Sequence, residues 1–260
     1  MRTANARALT FAAAAASALA ALLMSSASAQ PVPLRVLCSN GMRAVAEELK
    51  PELERAAGRP LAIEFGTSAD VRQRIESGAA FDVAVLTVEV IGGLAKAGKV
   101  TPDSVAALGR SAVGVGVRAG APLPDLKTPD GVKKAFLDAK SVTWVGAGAA
   151  RVPVDGMLAA LGIADAVAAK LVLAQSVEEG LERVADGKSD LTVMLASEIL
   201  PAKGVKYAGP FPGQFASYVS FAGAASATTT SRAAASRVVA ALHAPASASA
   251  YAAKGMELPH

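Results

Sequence analysis

Short apolar runs alternate along this chain with longer stretches in which apolar side chains return every three or four residues. The runs predict buried strands, and the three-to-four spacing predicts amphipathic helices. Residues 34–38 form the first run, broken by Ser39-Asn40-Gly41. From Met42 onward, Val45, Ala46, Leu49 and Leu53 share a helical stripe, which Pro51 should kink or restart because proline lacks an N–H. Residues 61–65 predict a second strand, Gly66-Thr67-Ser68 its turn, and 70–77 a helix with Val71 and Ile75 inward. A third strand at 83–86 leads into a helix from 88 to 97.

A second series follows. Residues 111–118 predict a longer strand, and the Gly120-Ala121-Pro122-Leu123-Pro124 segment after it should be stiff and exposed. Thr128 caps a helix whose first residue is Pro129, the position where proline is favoured. Strands at 142–145, 171–173 and 191–195 alternate with helices at 154–161 and 177–186. Pro210, Pro212 and Gly213 mark a turn before a strand at 217–221, and the end is helical over 231–243 and 246–254. Strands interleaved with helices in this way predict an α/β fold built from βαβ units.

The segment ahead of the first strand changes the setting. Arg2 and Arg7 precede an Ala- and Leu-rich run from Ala8 to Met24, and Ala27-Ser28-Ala29 places small residues where a signal peptidase reads them. This predicts a cleavable secretory signal over residues 1–29, a mature start at Gln30 and a periplasmic address. Its strongly apolar part is short against the ~20 residues of a membrane span. The signal carries two arginines and no acid, so its removal lowers the formal charge from +4 to 4 − 2 = +2. With no Lys/Arg run and no basic aromatic stripe, nucleic acid is not an expected partner. The single cysteine, Cys38, rules out an internal disulfide and reads as a small buried residue ending a strand.

Candidate chemistry collects at turns between strands and helices, where open α/β sheets bind their ligands. Ser39, Asn40 and Gly41 follow the first strand, and Thr67 and Ser68 follow the second. Each turn brings hydroxyl or amide groups and unpaired backbone N–H groups to a helix N-terminus, which attracts an anion without a lysine. Ser, Thr and Asn are also ordinary helix caps, but two such turns at one sheet edge argue for a site. A third turn, Gly146-Ala147-Gly148-Ala149-Ala150-Arg151-Val152, is small enough for close backbone approach and ends in a guanidinium that can fork onto a carboxylate. Ser176, ahead of the 177–186 helix, is a weaker candidate. His243 and His260 have no metal-binding spacing, and no nucleophile elbow or phosphate loop is present, so no metal or cofactor is expected.

The order of these pieces resembles the periplasmic molybdate-binding-protein-like family of type II solute-binding proteins. The resemblance rests on the Ser-Asn-Gly and Gly-Thr-Ser turns, Gly78-Ala79-Ala80-Phe81-Asp82-Val83 and Ala97-Gly98-Lys99-Val100. It continues through Val117-Arg118-Ala119-Gly120-Ala121-Pro122, Ser197-Glu198-Ile199-Leu200-Pro201, Gly209-Pro210-Phe211-Pro212 and Lys254-Gly255-Met256. The resemblance implies a two-lobed α/β fold with two crossing hinge strands, here 111–118 and 217–221. The first lobe would hold 30–115 and 217–260, the second 116–216. It further implies that Ser39, Asn40, Thr67 and Ser68 hold the anion from one side and Ala150, Arg151 and Val152 from the other.

Two departures separate this chain from the molybdate pattern. Met194-Leu195-Ala196 stands where molybdate binders offer a tyrosine hydroxyl, and Asn40 replaces a second serine. Arg43 and Arg151 also bring more charge than a tetrahedral oxyanion needs. The chain is more similar to a subset of the superfamily that includes aconitate isomerase, which handles a tricarboxylate. The resemblance therefore implies a monomeric periplasmic receptor that clamps a small anion, an organic acid, for the membrane component of an ABC-type transporter. The alternative is an isomerase of a small polycarboxylate, for which Glu198 is the best candidate base, unless it only pairs with a lysine.

Overall fold

A computed structural model of the chain describes residues 32–258, so the signal-peptide expectation lies outside the described residues. The first series forms as its pattern predicts. Strand β1 (Leu34–Ser39) runs into a short 3-10 turn and helix α1 (Arg43–Ala57). Strand β2 (Leu61–Gly66), helix α2 (Ser68–Glu76), strand β3 (Val83–Thr87) and helix α3 (Val88–Lys96) follow. β1 lies between β2 and β3, parallel to both, so the turns after the three strands meet at one edge. Pro51 neither kinks α1 into two helices nor restarts it. The helix is continuous because its buried stripe carries on through Leu53 and Ala57, and α1 packs along the C-terminal helix over 232–243.

Strand β4 (Ala106–Arg118) starts five residues ahead of the 111–118 expectation and joins the two halves of the sheet. Its first part pairs with β9 (Tyr218–Ala225), and its second part, from Val113, with β7 (Leu191–Leu195) and β8 (Val205–Pro210). The second series supplies helix α4 (Pro129–Asp138), β5 (Val142–Val145), α5 (Arg151–Ala160), α6 (Ala164–Ala168), β6 (Leu171–Ala174) and α7 (Val177–Ala185). A one-turn helix α8 (Ala196–Ile199) follows β7, and α9 (Arg232–His243), α10 (Ala248–Ala253) and β10 (Met256–Glu257) end the described chain. The main strand order is β2-β1-β3-β9-β4-β7-β5-β6, with β8 and β10 both on β4.

The strand expected at 217–221 forms as β9 (Tyr218–Ala225), beside β4 from its first residue. The chain leaves β8 at Pro210, passes through 211–217 with a 3-10 turn at Gly213–Phe215, and enters β9, which pairs only with β3 and the first part of β4. The helix expected from 154 begins at Arg151 and takes in Pro153, whose missing N–H falls in the first turn, where no intrahelical partner exists.

Candidate functional site

The two halves of the sheet face each other across one cavity. Ser39, Asn40, Thr67 and Ser68 line it from the first half. Gly148, Ala150 and Arg151 line it from the second, together with Trp144, Leu195 and Glu198. About 30 Å³ is open there to the centre of a water molecule, and a single water needs ~10–15 Å³. A compact anion matches that space, whereas a tricarboxylate requires the halves to part.

The hydroxyls differ in what they have left to give. Thr67 caps α2 by accepting the Asp70 N–H at 3.1 Å and donates its own proton to Asp70 Oδ2 at 2.6 Å, so its side chain is spent. Ser68 Oγ accepts the Thr87 N–H at 3.1 Å and keeps its proton for another acceptor. Ser39 precedes the 3-10 turn without making a capping bond. The Ser68 and Ala69 N–H groups, in the first turn of α2, have no intrahelical partner. Asn40 Oδ1 accepts from Arg43 Nη2 at 3.1 Å, which leaves its amide protons.

Across the cavity, Ala150 ends its turn at the start of α5 with no side-chain cap. Arg151 gives its Nε–H to Asp155 Oδ2 at 2.6 Å, one helical turn on, and retains its terminal nitrogens. Trp144 reaches the lining from the end of β5, and its buried indole N–H has no partner among the described residues. Leu195 presents only hydrocarbon, so the wall at the end of β7 offers no hydroxyl.

Glu198 is the one carboxyl in the lining. It sits on α8, where its Oε2 accepts the Leu195 N–H at 3.1 Å and closes the first turn of that helix. Burial pushes its pKa up to about 7; the Leu195 N–H pulls the other way, nearby Glu178 pushes up and Arg43 pulls down. Glu198 also borders a groove that opens outward past Arg43 and Glu178.

Three expected site residues stand outside the lining. Gly41 packs instead against the sheet, where a Cβ would come within 2.5 Å of Phe221 Cζ and 2.7 Å of Leu195 Cδ1. Val152 is 81% exposed, because it lies on the outer face of α5. Ser176 caps α7, accepting the Glu179 N–H at 3.1 Å. Trp144 is a lining residue that the sequence pattern does not reveal, since a tryptophan in an apolar strand reads as core. Cys38 is fully buried, and burial raises its thiol pKa, so it is chemically quiet. Among the described residues no group of three or more His, Cys, Asp or Glu side chains could hold a metal, and no helix is long and apolar enough to cross a membrane.

The two halves touch around this cavity. Arg43 of α1 meets Glu178 of α7 at 3.0 Å and stacks over the Phe65 ring at 4.2 Å. Ser197 Oγ donates to the Gly41 carbonyl at 2.8 Å, and the Ser197 N–H donates to Ser111 Oγ at 3.1 Å.

Residues 34–257 match the family model of the bacterial extracellular solute-binding proteins. The chain belongs to that family. An aconitate isomerase from Pseudomonas sp. is 30% identical over 216 residues, which is 80% of this chain and 82% of the relative. Among solved structures, the periplasmic molybdate-binding protein of Azotobacter vinelandii superposes with a TM-score of 0.71 at 22% identity, covering 87% of this chain and 100% of its own. The sulfate-binding protein SubI of Mycobacterium tuberculosis superposes with a TM-score of 0.66 at 21% identity, covering 86% of each chain. The two-lobed type II fold of this solute-binding protein is thereby shared with proteins named for molybdate and sulfate.

Proposed function

We propose that this solute-binding protein is a periplasmic receptor that clamps a small organic acid and delivers it to the membrane component of an ABC-type transporter. The observation that carries the reading is the cavity where two strand-to-helix turns of one half face the Gly148–Arg151 turn of the other. Such a cavity attracts an anion through helix N-termini, and it gains most when both halves contribute donors at once. Arg151 favours a carboxylate, because the terminal nitrogens left by its bond to Asp155 match the two oxygens of that group. Leu195 disfavours molybdate, since no hydroxyl meets the anion at that wall. The test is a thermal-shift screen of mono-, di- and tricarboxylates beside molybdate and sulfate. A carboxylate should raise the melting temperature most, and a shift by the oxyanions alone would reject the organic-acid reading.

A second reading is favoured by Glu198 and by the relative named aconitate isomerase. A carboxyl whose pKa is held near neutrality can take and return a proton beside a carboxyl-bearing carbon. Incubating the protein with cis-aconitate and following the trans isomer separates enzyme from receptor. The receptor reading predicts no turnover, and turnover lost in Glu198→Gln would establish the isomerase.

A further inference from the structure

Glu198 stands out within a site otherwise made of donors. We propose that Glu198 is the specificity-determining group of the cavity and is protonated whenever an anion is bound, so that capture above neutrality takes up a proton. The inference rests on the small-anion reading. One carboxyl oxygen of Glu198 is held by the Leu195 N–H, and the group lines the cavity beside the apolar Val177, Met194 and Leu195 side chains. A carboxylate there would face the ligand as like charge against like.

The charged neighbours are partly committed to one another. From α5 come Arg151 and Asp155, already paired at 2.6 Å. From α1 come Arg43 and Glu47, 3.9 Å apart, and from α7 comes Glu178, 3.0 Å from Arg43. Of these, Arg151 lines the cavity, and Arg43 and Glu178 line the groove beside it. The strands packed behind α8 add no charged side chain to the lining of the cavity or of the groove beside it. The anion is then held by the Arg151 terminal nitrogens together with neutral donors: helix N–H groups, Ser39 and Ser68. A protonated Glu198 joins them, because its O–H turns the one repelling group of the lining into one more donor. The cavity then selects ligands that present bare acceptor oxygens, and it disfavours those that present a hydroxyl to Glu198.

Linkage makes this measurable. If the anion raises the proton affinity of Glu198, protonation of Glu198 raises the affinity for the anion by the same factor. The starting state is favourable, since burial holds the free carboxyl at a pKa of about 7. Sulfate, molybdate and fumarate are suitable probes, being fully ionised above pH 6. Calorimetry from pH 6 to 9 should show the best of them weakening by about tenfold per pH unit above neutrality, the limit for one linked proton. Proton uptake, read from buffers of different ionisation heat, should approach one per anion at pH 8. Glu198→Gln keeps a donor but cannot ionise, so its affinity should be flat with pH.

A second arm needs no ligand. In carboxyl-labelled protein the resonance missing from Glu198→Gln should titrate near neutrality, and a midpoint in the ordinary carboxylate range would overturn the proposal. Binding with the same pH dependence in both proteins would reject the coupling alone. Binding by none of the three probes, in either protein, would reject the coupling together with the small-anion reading.

Discussion

Two side chains decide how the cavity treats an anion. Arg151 opens α5 with its Nε–H committed to Asp155 and its terminal nitrogens uncommitted, at a helix end that already favours negative charge. A hydrogen bond to a charged group contributes ~1.5–3 kcal/mol net. Arg151→Ala should weaken carboxylate binding by about ten- to a hundredfold, and Arg151→Lys should recover only part, because an ammonium cannot reproduce the planar fork. Titration of the three proteins with the best carboxylate of the screen checks this, and affinity within twofold in Arg151→Ala would remove the guanidinium from the site. Glu198 makes a separate prediction about stability. Between the ordinary carboxylate range and about pH 7 the folded chain keeps a proton that the unfolded chain releases. Stability contributed by this group is therefore complete at low pH and is lost as pH rises through that window. In urea melts at pH 5 and pH 8, Glu198→Gln should gain on the wild type at the higher pH, and an equal difference at both would contradict the shift.

At the scale of elements, most of the fold and part of the site are legible in the sequence, for identifiable reasons. The strands at 142–145 and 191–195 are mostly apolar runs, each with one threonine, between polar turns, and they form as β5 and β7 with those bounds. Strand β8 is not legible, because Val205–Pro210 contains a glycine at φ 139° and a proline, and its pairing with β4 shifts register after Val115. Helix α8 is a single turn, too short to leave a periodic signal. The turns bearing Ser39, Asn40, Thr67, Ser68, Ala150 and Arg151 are legible because small and polar residues follow each strand. Trp144 and the place of Glu198 in the lining are not, since only the pairing of β4 with both sheet halves brings β7 and α8 opposite β1. Gly41 shows how tightly those elements meet. Gly41→Ala puts a methyl against Phe221 and Leu195, and overpacking of this kind costs about 1–3 kcal/mol. Urea denaturation should register that loss, and an unchanged midpoint would mean the turn has slack that the packing does not suggest.

For the whole molecule, the proposed function makes the cavity a clamp. The Arg43–Glu178 pair and the Ser197–Gly41 hydrogen bond join the halves beside the site, and β4 with residues 211–217 connects them. A ligand held from both halves binds the closed form better than the open one and shifts the population toward it. Small-angle scattering should therefore record a smaller radius of gyration at saturating ligand, and an unchanged profile with binding established separately would argue against hinge closure. The measurement that bears most directly on the central claim is side-by-side calorimetry of residues 30–260 with molybdate, fumarate, citrate and cis-aconitate. The account predicts one site per chain and a carboxylate that binds more tightly than molybdate. Tight binding of molybdate with no heat from any of the three acids would contradict it.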